Sequence, residues 1–151
     1  MRKCKFALIL TAAAVLLFPA NCAKLKGEAS DTIKIDEKMF IAQVNDVYLN
    51  AEDYQGKKIK LEGVFLQSTG EKPYYFVVRY GPACCGNDGI VGFEVAWAKE
   101  KEQPYPAADS WVEAEGVLKS YEDEEEGYTL SYIDLSSLNV LAKRGSENVL
   151  Q

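Results

Sequence analysis

The alternation of apolar and polar residues after residue 57 is the feature that most restricts how this chain can fold. Successive side chains of a β-strand point to opposite faces, so a period of two predicts strands with one buried face. Five segments show this period: residues 58–67, 74–80, 90–98, 111–118 and 128–135, with residues 138–141 extending or following the last. Five short strands separated by turn residues predict a small barrel or a sandwich.

Two glycines favour the barrel. Gly63 and Gly116 each lie inside an otherwise regular strand segment. A glycine at such a position costs strand stability and usually marks a bulge or a sharp bend. Because a five-stranded sheet must bend to close on itself, we predict a mainly β fold, a small OB-like five-stranded barrel. An open sheet with two incidental glycines is the alternative.

One amphipathic helix is predicted ahead of the barrel. Apolar residues stand at positions i, i+4, i+7 and i+8 after Asp36, and they are Phe40, Val44, Val47 and Tyr48. This spacing places them on one face of a helix of about three turns. We therefore expect the folded domain at residues 36–141, a polar tether at residues 22–35 and a C-terminal tail at residues 142–151.

The first 21 residues are typical of a secretory signal peptide. Basic residues precede a 13-residue apolar run from Phe6 to Phe18. A helix of that length covers about 20 Å, less than the roughly 30 Å of a bilayer core, so a permanent membrane span is the weaker interpretation. The segment Pro19–Cys22 resembles the lipobox of bacterial lipoproteins, in which the cysteine is diacylated. We expect lipidation at Cys22 and anchoring to the cell membrane or outer membrane; cleavage near Ala23 is the alternative.

The charge of the chain argues against one class of partner. The sequence has 17 basic and 23 acidic residues, and removing residues 1–21 leaves 14 against 23, a net charge of −9. Nucleic-acid binding needs a basic face that neutralises phosphates, so no nucleic-acid partner is expected. The acidic run at residues 122–126 is expected to be a solvated hairpin tip.

An adjacent pair of cysteines is the strongest candidate for chemistry. Once Cys4 and Cys22 are assigned to the signal and the anchor, Cys84 and Cys85 are the remaining thiols. Neighbouring Cα atoms are about 3.8 Å apart, below the usual disulfide range of about 4.4–6.8 Å, so the pair is not a stabilising cross-link. With Asp88 it offers two soft thiolates and a carboxylate, a set suited to zinc or another soft metal.

This site is predicted in a glycine-rich loop between the second and third strands, within residues 79–89. The ligand set is incomplete because the chain has no histidine, so a further ligand would come from water, substrate or a partner. Supporting roles are assigned to Arg79 and Glu94, which are expected to form an ion pair. Buried structural cysteines, a redox dithiol, and an Asx-turn role for Asp88 remain open.

The sequence contains no motif that supports catalysis. The sequence has no histidine base, no phosphate-binding glycine loop and no nucleophile elbow. Whether the protein is an enzyme stays open, and a non-enzymatic role is the preferred interpretation.

Three segments resemble the C-terminal domain of YcgQ-type bacterial proteins, a domain of uncharacterised function. They are Tyr54–Val64, Phe76–Arg79 and Cys84–Asp88, and the similarity covers about residues 36–141. Members of that family resemble membrane proteins encoded beside a permease and are described as its candidate subunits. This sequence departs from them by carrying a signal and candidate lipid anchor in place of a multi-helix membrane portion, and Gly81-Pro82 before the cysteines.

The resemblance implies a role at the cell envelope, in assisting transport of a metal or another small solute. The resulting hypothesis is an envelope-anchored domain that binds a small ligand or metal and serves a transporter. A protein-interaction domain with structural cysteines and a thiol redox protein are the alternatives.

Overall fold

The barrel strands form at the five alternating segments. The computed structural model describes residues 32–82, 88–123 and 127–150. The strands are β1 (Ile33–Lys34), β2 (Lys58–Gln67), β3 (Tyr75–Pro82), β4 (Asp88–Trp97), β5 (Trp111–Glu122) and β6 (Thr129–Val140). Two α-helices, α1 (Phe40–Leu49) and α2 (Ala51–Tyr54), precede β2, and 3-10 turns occupy Glu37–Met39 and Lys99–Lys101.

Five of these strands close into a barrel. Strand β2 pairs with β3, β3 with β4, β4 with β6, β6 with β5, and β5 returns to β2. The β4–β6 pair is parallel and the other four pairs are antiparallel. The predicted fold class, a mainly β, OB-like five-stranded barrel behind an amphipathic helix, is confirmed.

The two interior glycines allow closure in different ways. Gly116 lies at a register shift between β5 and β6, as expected for a bulge. Gly63 lies where β2 leaves β5 and begins to pair with β3. A Cβ on Gly63 would stand 3.0 Å from the Val78 carbonyl carbon and closer still to its oxygen. Gly63 is therefore required by the close approach of two backbones.

The predicted helix closes over the barrel core. Asp36 caps the 3-10 turn by accepting a hydrogen bond from the Lys38 amide at 2.9 Å. The buried residues of α1 join the core of the barrel, and they are Phe40, Ile41, Val44 and Val47. Tyr48 stacks on Phe93 with ring centroids 5.1 Å apart. None of the helices in the described part of the chain is long and apolar enough to span a bilayer.

The domain is longer than predicted at both ends. Ile33 and Lys34 pair with β2, and Ile35 is buried, so these residues do not belong to the tether. Val149 is also buried, and its amide donates to the Tyr80 carbonyl at 2.8 Å, so the C-terminal segment is no tail. Strands β2 and β3 pair only at Val64–Gln67 and Tyr75–Val78, so β2 before Gly63 and β3 after Val78 each have a backbone edge that needs a partner. Strand β1 covers the β2 edge, and residues 147–149 cover the β3 edge.

The first residues of the acidic run, Glu122 and Asp123, lie where the antiparallel strands β5 and β6 approach their connection. Strand β5 ends at Glu122 and β6 begins at Thr129. The Asp123 amide donates to the Tyr128 carbonyl at 3.0 Å, and the Gly127 amide donates to the Asp123 carbonyl at 2.9 Å. Gly127 has φ +72°, a conformation that a glycine adopts without strain. Residues 124–126 lie outside the described part.

Candidate functional site

The cysteines of the predicted site lie outside the described residues. Cys84 and Cys85 fall within residues 83–87, and Cys22, the predicted lipidation site, precedes residue 32. Asp88 is the first residue of β4, and its backbone pairs with Pro82 at the end of β3. Strand pairing therefore extends further toward the cysteines than predicted. Gly81, Pro82, Asp88 and Gly89 belong to strands and not to the loop.

The end of the β3–β4 hairpin is held by neighbouring elements. Gly81 is buried, and a Cβ there would lie 2.8 Å from the Cδ1 atom of Ile41 on α1. The carbonyl oxygen of Val149 would lie 3.5 Å from the same Cβ. The absence of a side chain at Gly81 lets the helix and the C-terminal segment approach β3 three residues before Cys84. The strand leading to the cysteine pair is thus part of the packed domain.

Arg79 fills the space in which β2 and β3 separate. Its Nε donates to the Glu62 carbonyl at 2.9 Å, and its Nη1 donates to the Ser146 carbonyl at 2.9 Å. The same Nη1 forms an ion pair with Glu37 at 3.0 Å. The guanidinium therefore joins the start of the helix, strand β2 and the C-terminal segment.

Two aromatic rings enclose this guanidinium. The Cζ atom of Arg79 lies 5.0 Å from the ring centroid of Phe40 and 4.9 Å from that of Trp111. The side chain of Arg79 is buried, whereas that of Glu37 is half exposed. The hydrogen bond from Arg79 holds the pKa of Glu37 below its ordinary value.

The expected ion pair between Arg79 and Glu94 is wrong. Arg79 pairs with Glu37, whereas Glu94 accepts a hydrogen bond from the Tyr121 hydroxyl at 3.0 Å. Arg79 lies among buried side chains beside α1, and Glu94 alternates with the core residues Phe93 and Val95 on β4. The two charged residues therefore face different surroundings. Arg79 belongs to the structural framework, and Glu94 lies on the outer face of the barrel.

Glu94 is a half-buried carboxylate in an aromatic environment. Burial raises the pKa of Glu94, and the hydrogen bond from Tyr121 opposes that shift. The pKa of Tyr121 is raised by burial first and by its contact with Glu94 second. Burial, with a smaller contribution from the charge of Glu94, raises the pKa of Tyr48 to about 12. This grouping of Glu94 with tyrosines is the best-defined polar site in the described part of the chain.

Sequence reasoning identified Glu94 but missed Tyr121 and Tyr132. Strand β5 was predicted to end at Leu118, and it continues to Glu122. Following the same period of two beyond Leu118 would have placed Lys119 and Tyr121 on the outer face. The proximity of Tyr121 and Tyr132 to Glu94 could not be predicted from the sequence, because it depends on the parallel pairing of Glu94 with Tyr132.

In the described part of the chain, no group of three or more His, Cys, Asp and Glu side chains is arranged to hold a metal. The predicted set of Cys84, Cys85 and Asp88 is not covered by this finding, because neither the cysteines nor the Asp88 side chain is described.

Comparison with known families gives one match. The family model described as the DUF1980 C-terminal domain matches residues 19–149. This range includes all three segments that carry the resemblance noted above, together with β1 and the C-terminal segment. No curated protein matches the chain.

Proposed function

The chain belongs to the family of the DUF1980 C-terminal domain, and from this premise we propose that it is an accessory binding domain of the cell envelope. In this proposal it binds a metal or another small ligand through Cys84, Cys85 and Asp88, and it serves a transporter. The family resemblance supports the location at the cell envelope and the role in serving a transporter.

The pairing of Pro82 with Asp88 is the observation that supports the site most directly. Only five residues join these two positions, within the usual length of a hairpin connection. Side chains of consecutive strand residues point to opposite faces, and the described ladder ends before Cys84 is reached. In so short a connection, two adjacent thiols are better suited to binding one shared ligand than they would be in a long flexible loop.

The donor set favours exchange over permanent retention of a metal. Two thiolates and one carboxylate suit zinc or a softer ion, whereas a structural zinc site has four protein ligands. A metal bound by fewer protein ligands keeps an open position for water or for a donor from a partner. Such an open position is what delivery to, or collection from, a transporter requires.

Zinc titration of cysteine variants tests this site. In the full chain carrying Cys4→Ser and Cys22→Ser, we expect stoichiometric Zn²⁺ binding by calorimetry. Adding Cys84→Ser or Cys85→Ser should each weaken binding more than about tenfold, and Asp88→Asn should weaken it less. Binding should weaken as pH falls, because the thiols must lose their protons.

Asp53→Asn, on the exposed surface of α2, is the matched control and should bind Zn²⁺ like the parent chain. Urea unfolding of every variant should match that of the parent. Absence of zinc binding, with a stability loss of about 1–2 kcal/mol in the cysteine variants, would instead assign the cysteines to the core.

The proposed anchor is a lipid on Cys22. Nine residues separate Cys22 from Thr32, and an extended chain spans about 3.3–3.6 Å per residue. The tether would therefore hold the barrel within about 35 Å of the membrane surface, close enough to contact a membrane-embedded partner.

Metabolic labelling tests this anchor. Cells expressing the full chain with labelled palmitate should show incorporation, which Cys22→Ser should abolish and Cys4→Ser should leave intact. Unlabelled protein released in soluble form would contradict the anchor.

A further inference from the structure

A depression lies on the outer face of the barrel. It has a volume of about 410 Å³ and is bordered by β4, β6, β5 and the turn at residues 99–101. Pockets for small molecules commonly measure about 300–1,000 Å³. The residues that line it include Glu94, Trp97, Tyr121, Tyr132 and the Lys119–Asp134 pair.

The charge of Glu94 is not neutralised within the described part of the chain. Its carboxylate receives a hydrogen bond from Tyr121, which is an uncharged donor. Lys119, a lysine that also lines the depression, forms an ion pair with Asp134. Lys99 and Glu100 are exposed at the rim and are of opposite sign. The surplus charge of the depression is therefore the single negative charge of Glu94.

Aromatic rings stand beside this carboxylate. The rings of Tyr121 and Tyr132 have centroids 5.8 Å apart and planes inclined at 66°, so they pack edge to face. Trp97 lines the same depression. The faces of such rings attract cations, and tryptophan and tyrosine faces do so most strongly. A carboxylate beside aromatic rings in one depression is chemically complementary to an alkylated ammonium group.

We propose that this depression binds a small organic ammonium ion. The positive nitrogen lies between the Glu94 carboxylate and the tyrosine rings, and the alkyl groups contact the ring faces. A divalent metal is a poorer fit, since it prefers several oxygen ligands and one unpaired carboxylate is available. An anion is disfavoured because Lys119 is already paired.

The burial of Glu94 supports a role in binding. Burial disfavours the charged form of a carboxyl group, and it raises the pKa of Glu94. Gln is of similar shape, carries no charge and still accepts a hydrogen bond from Tyr121. Glu94→Gln should therefore unfold at the same urea concentration as the wild type, or at a higher one, at neutral pH. It thus separates loss of binding from loss of folding.

Calorimetry with matched ligands tests the proposal on the full chain. Choline and tetramethylammonium should bind, and the uncharged isostere of choline, 3,3-dimethyl-1-butanol, should bind at least about tenfold more weakly. Glu94→Gln and Tyr132→Leu should each reduce choline affinity at least about tenfold. Glu113→Gln removes a carboxylate that pairs with Lys60 elsewhere on the barrel, and it should leave the affinity unchanged.

Three results would overturn the proposal: no binding of either ammonium ion at millimolar concentration, equal binding of the uncharged isostere, or full choline affinity in Glu94→Gln. A chain carrying both Cys84→Ser and Cys85→Ser should still bind choline. The ammonium site and the proposed metal site can therefore fail independently.

Discussion

Replacing Gly63 with valine is expected to lower the free energy of unfolding by about 3 kcal/mol or more. A Cβ at this position would lie 3.0 Å from the Val78 carbonyl carbon and closer to the carbonyl oxygen. Both atoms belong to the backbone of β3, so no side-chain rotation relieves the contact. Since small domains are stable by about 5–15 kcal/mol, the loss is a large share of the total.

Urea unfolding followed by tryptophan fluorescence measures this effect. Gly70→Ala is the control, because the nearest atom to its added Cβ is a Lys72 oxygen at 3.9 Å. That variant should differ from the wild type by less than about 0.5 kcal/mol. A Gly63→Val protein with wild-type stability would show that β2 and β3 can move apart without loss.

The reason for this glycine could be predicted only in part. Sequence reasoning predicted a bend at Gly63, because a glycine inside a regular strand costs stability and usually marks a bulge or a bend. The atoms that a side chain would meet belong to Val78, and that contact depends on the register between β2 and β3. Register is a property of the closed barrel, and a single strand segment does not reveal it.

The strands were predictable because each buries one face, which leaves a period of two in the sequence. The two ends of the domain could not be predicted in this way. Ile33–Lys34 is too short to show a period, and Val149 and Leu150 are two adjacent apolar residues after a polar segment, which show no period either. Both segments are ordered by edges that appear only once β2 and β3 separate. For this reason the predicted bounds of the tether and the tail included residues that belong to the packed domain.

The candidate site residues likewise divide into those that could be predicted from the sequence alone and those that required the fold. The cysteine pair was identified from residue type and adjacency, which need no fold. The environment of Glu94 required knowing that β4 and β6 run in parallel, so that Tyr132 lies beside it. The surroundings of Arg79 required the C-terminal segment, which contributes the Ser146 carbonyl from 67 residues away.

Arg79→Met is expected to destabilise the protein by about 3 kcal/mol or more. The side chain of Arg79 is buried, and it donates to the carbonyls of Glu62 and Ser146. Methionine fills much of the same volume between the rings of Phe40 and Trp111, but it leaves two carbonyl groups without their donor. Buried hydrogen bonds to a charged group are worth about 1.5–3 kcal/mol each. Arg79→Lys should recover little, because an ammonium group lacks the planar fork that reaches separate acceptors.

Arg144 provides the matched comparison for this prediction. It pairs with Asp109 and Glu147, but its side chain is more than one-third exposed. Exposed ion pairs contribute little to stability, so Arg144→Met should lower the urea midpoint of unfolding far less than Arg79→Met does. Equal losses from the two arginines in urea unfolding would contradict the structural role assigned to Arg79.

The pH dependence separates the two kinds of contact that Arg79 makes. Arg79 lowers the pKa of Glu37, so the stability from that ion pair is present above the ordinary glutamate pKa. It is lost as pH falls through the lowered pKa of Glu37. The bonds from Arg79 to the Glu62 and Ser146 carbonyls do not titrate. Glu37→Gln should therefore cost little at neutral pH and nothing in acid, whereas Arg79→Met should remain strongly destabilising in acid. If acid removed the whole effect of Arg79→Met, the ion pair with Glu37 would account for its stabilisation, and the two backbone contacts would contribute nothing.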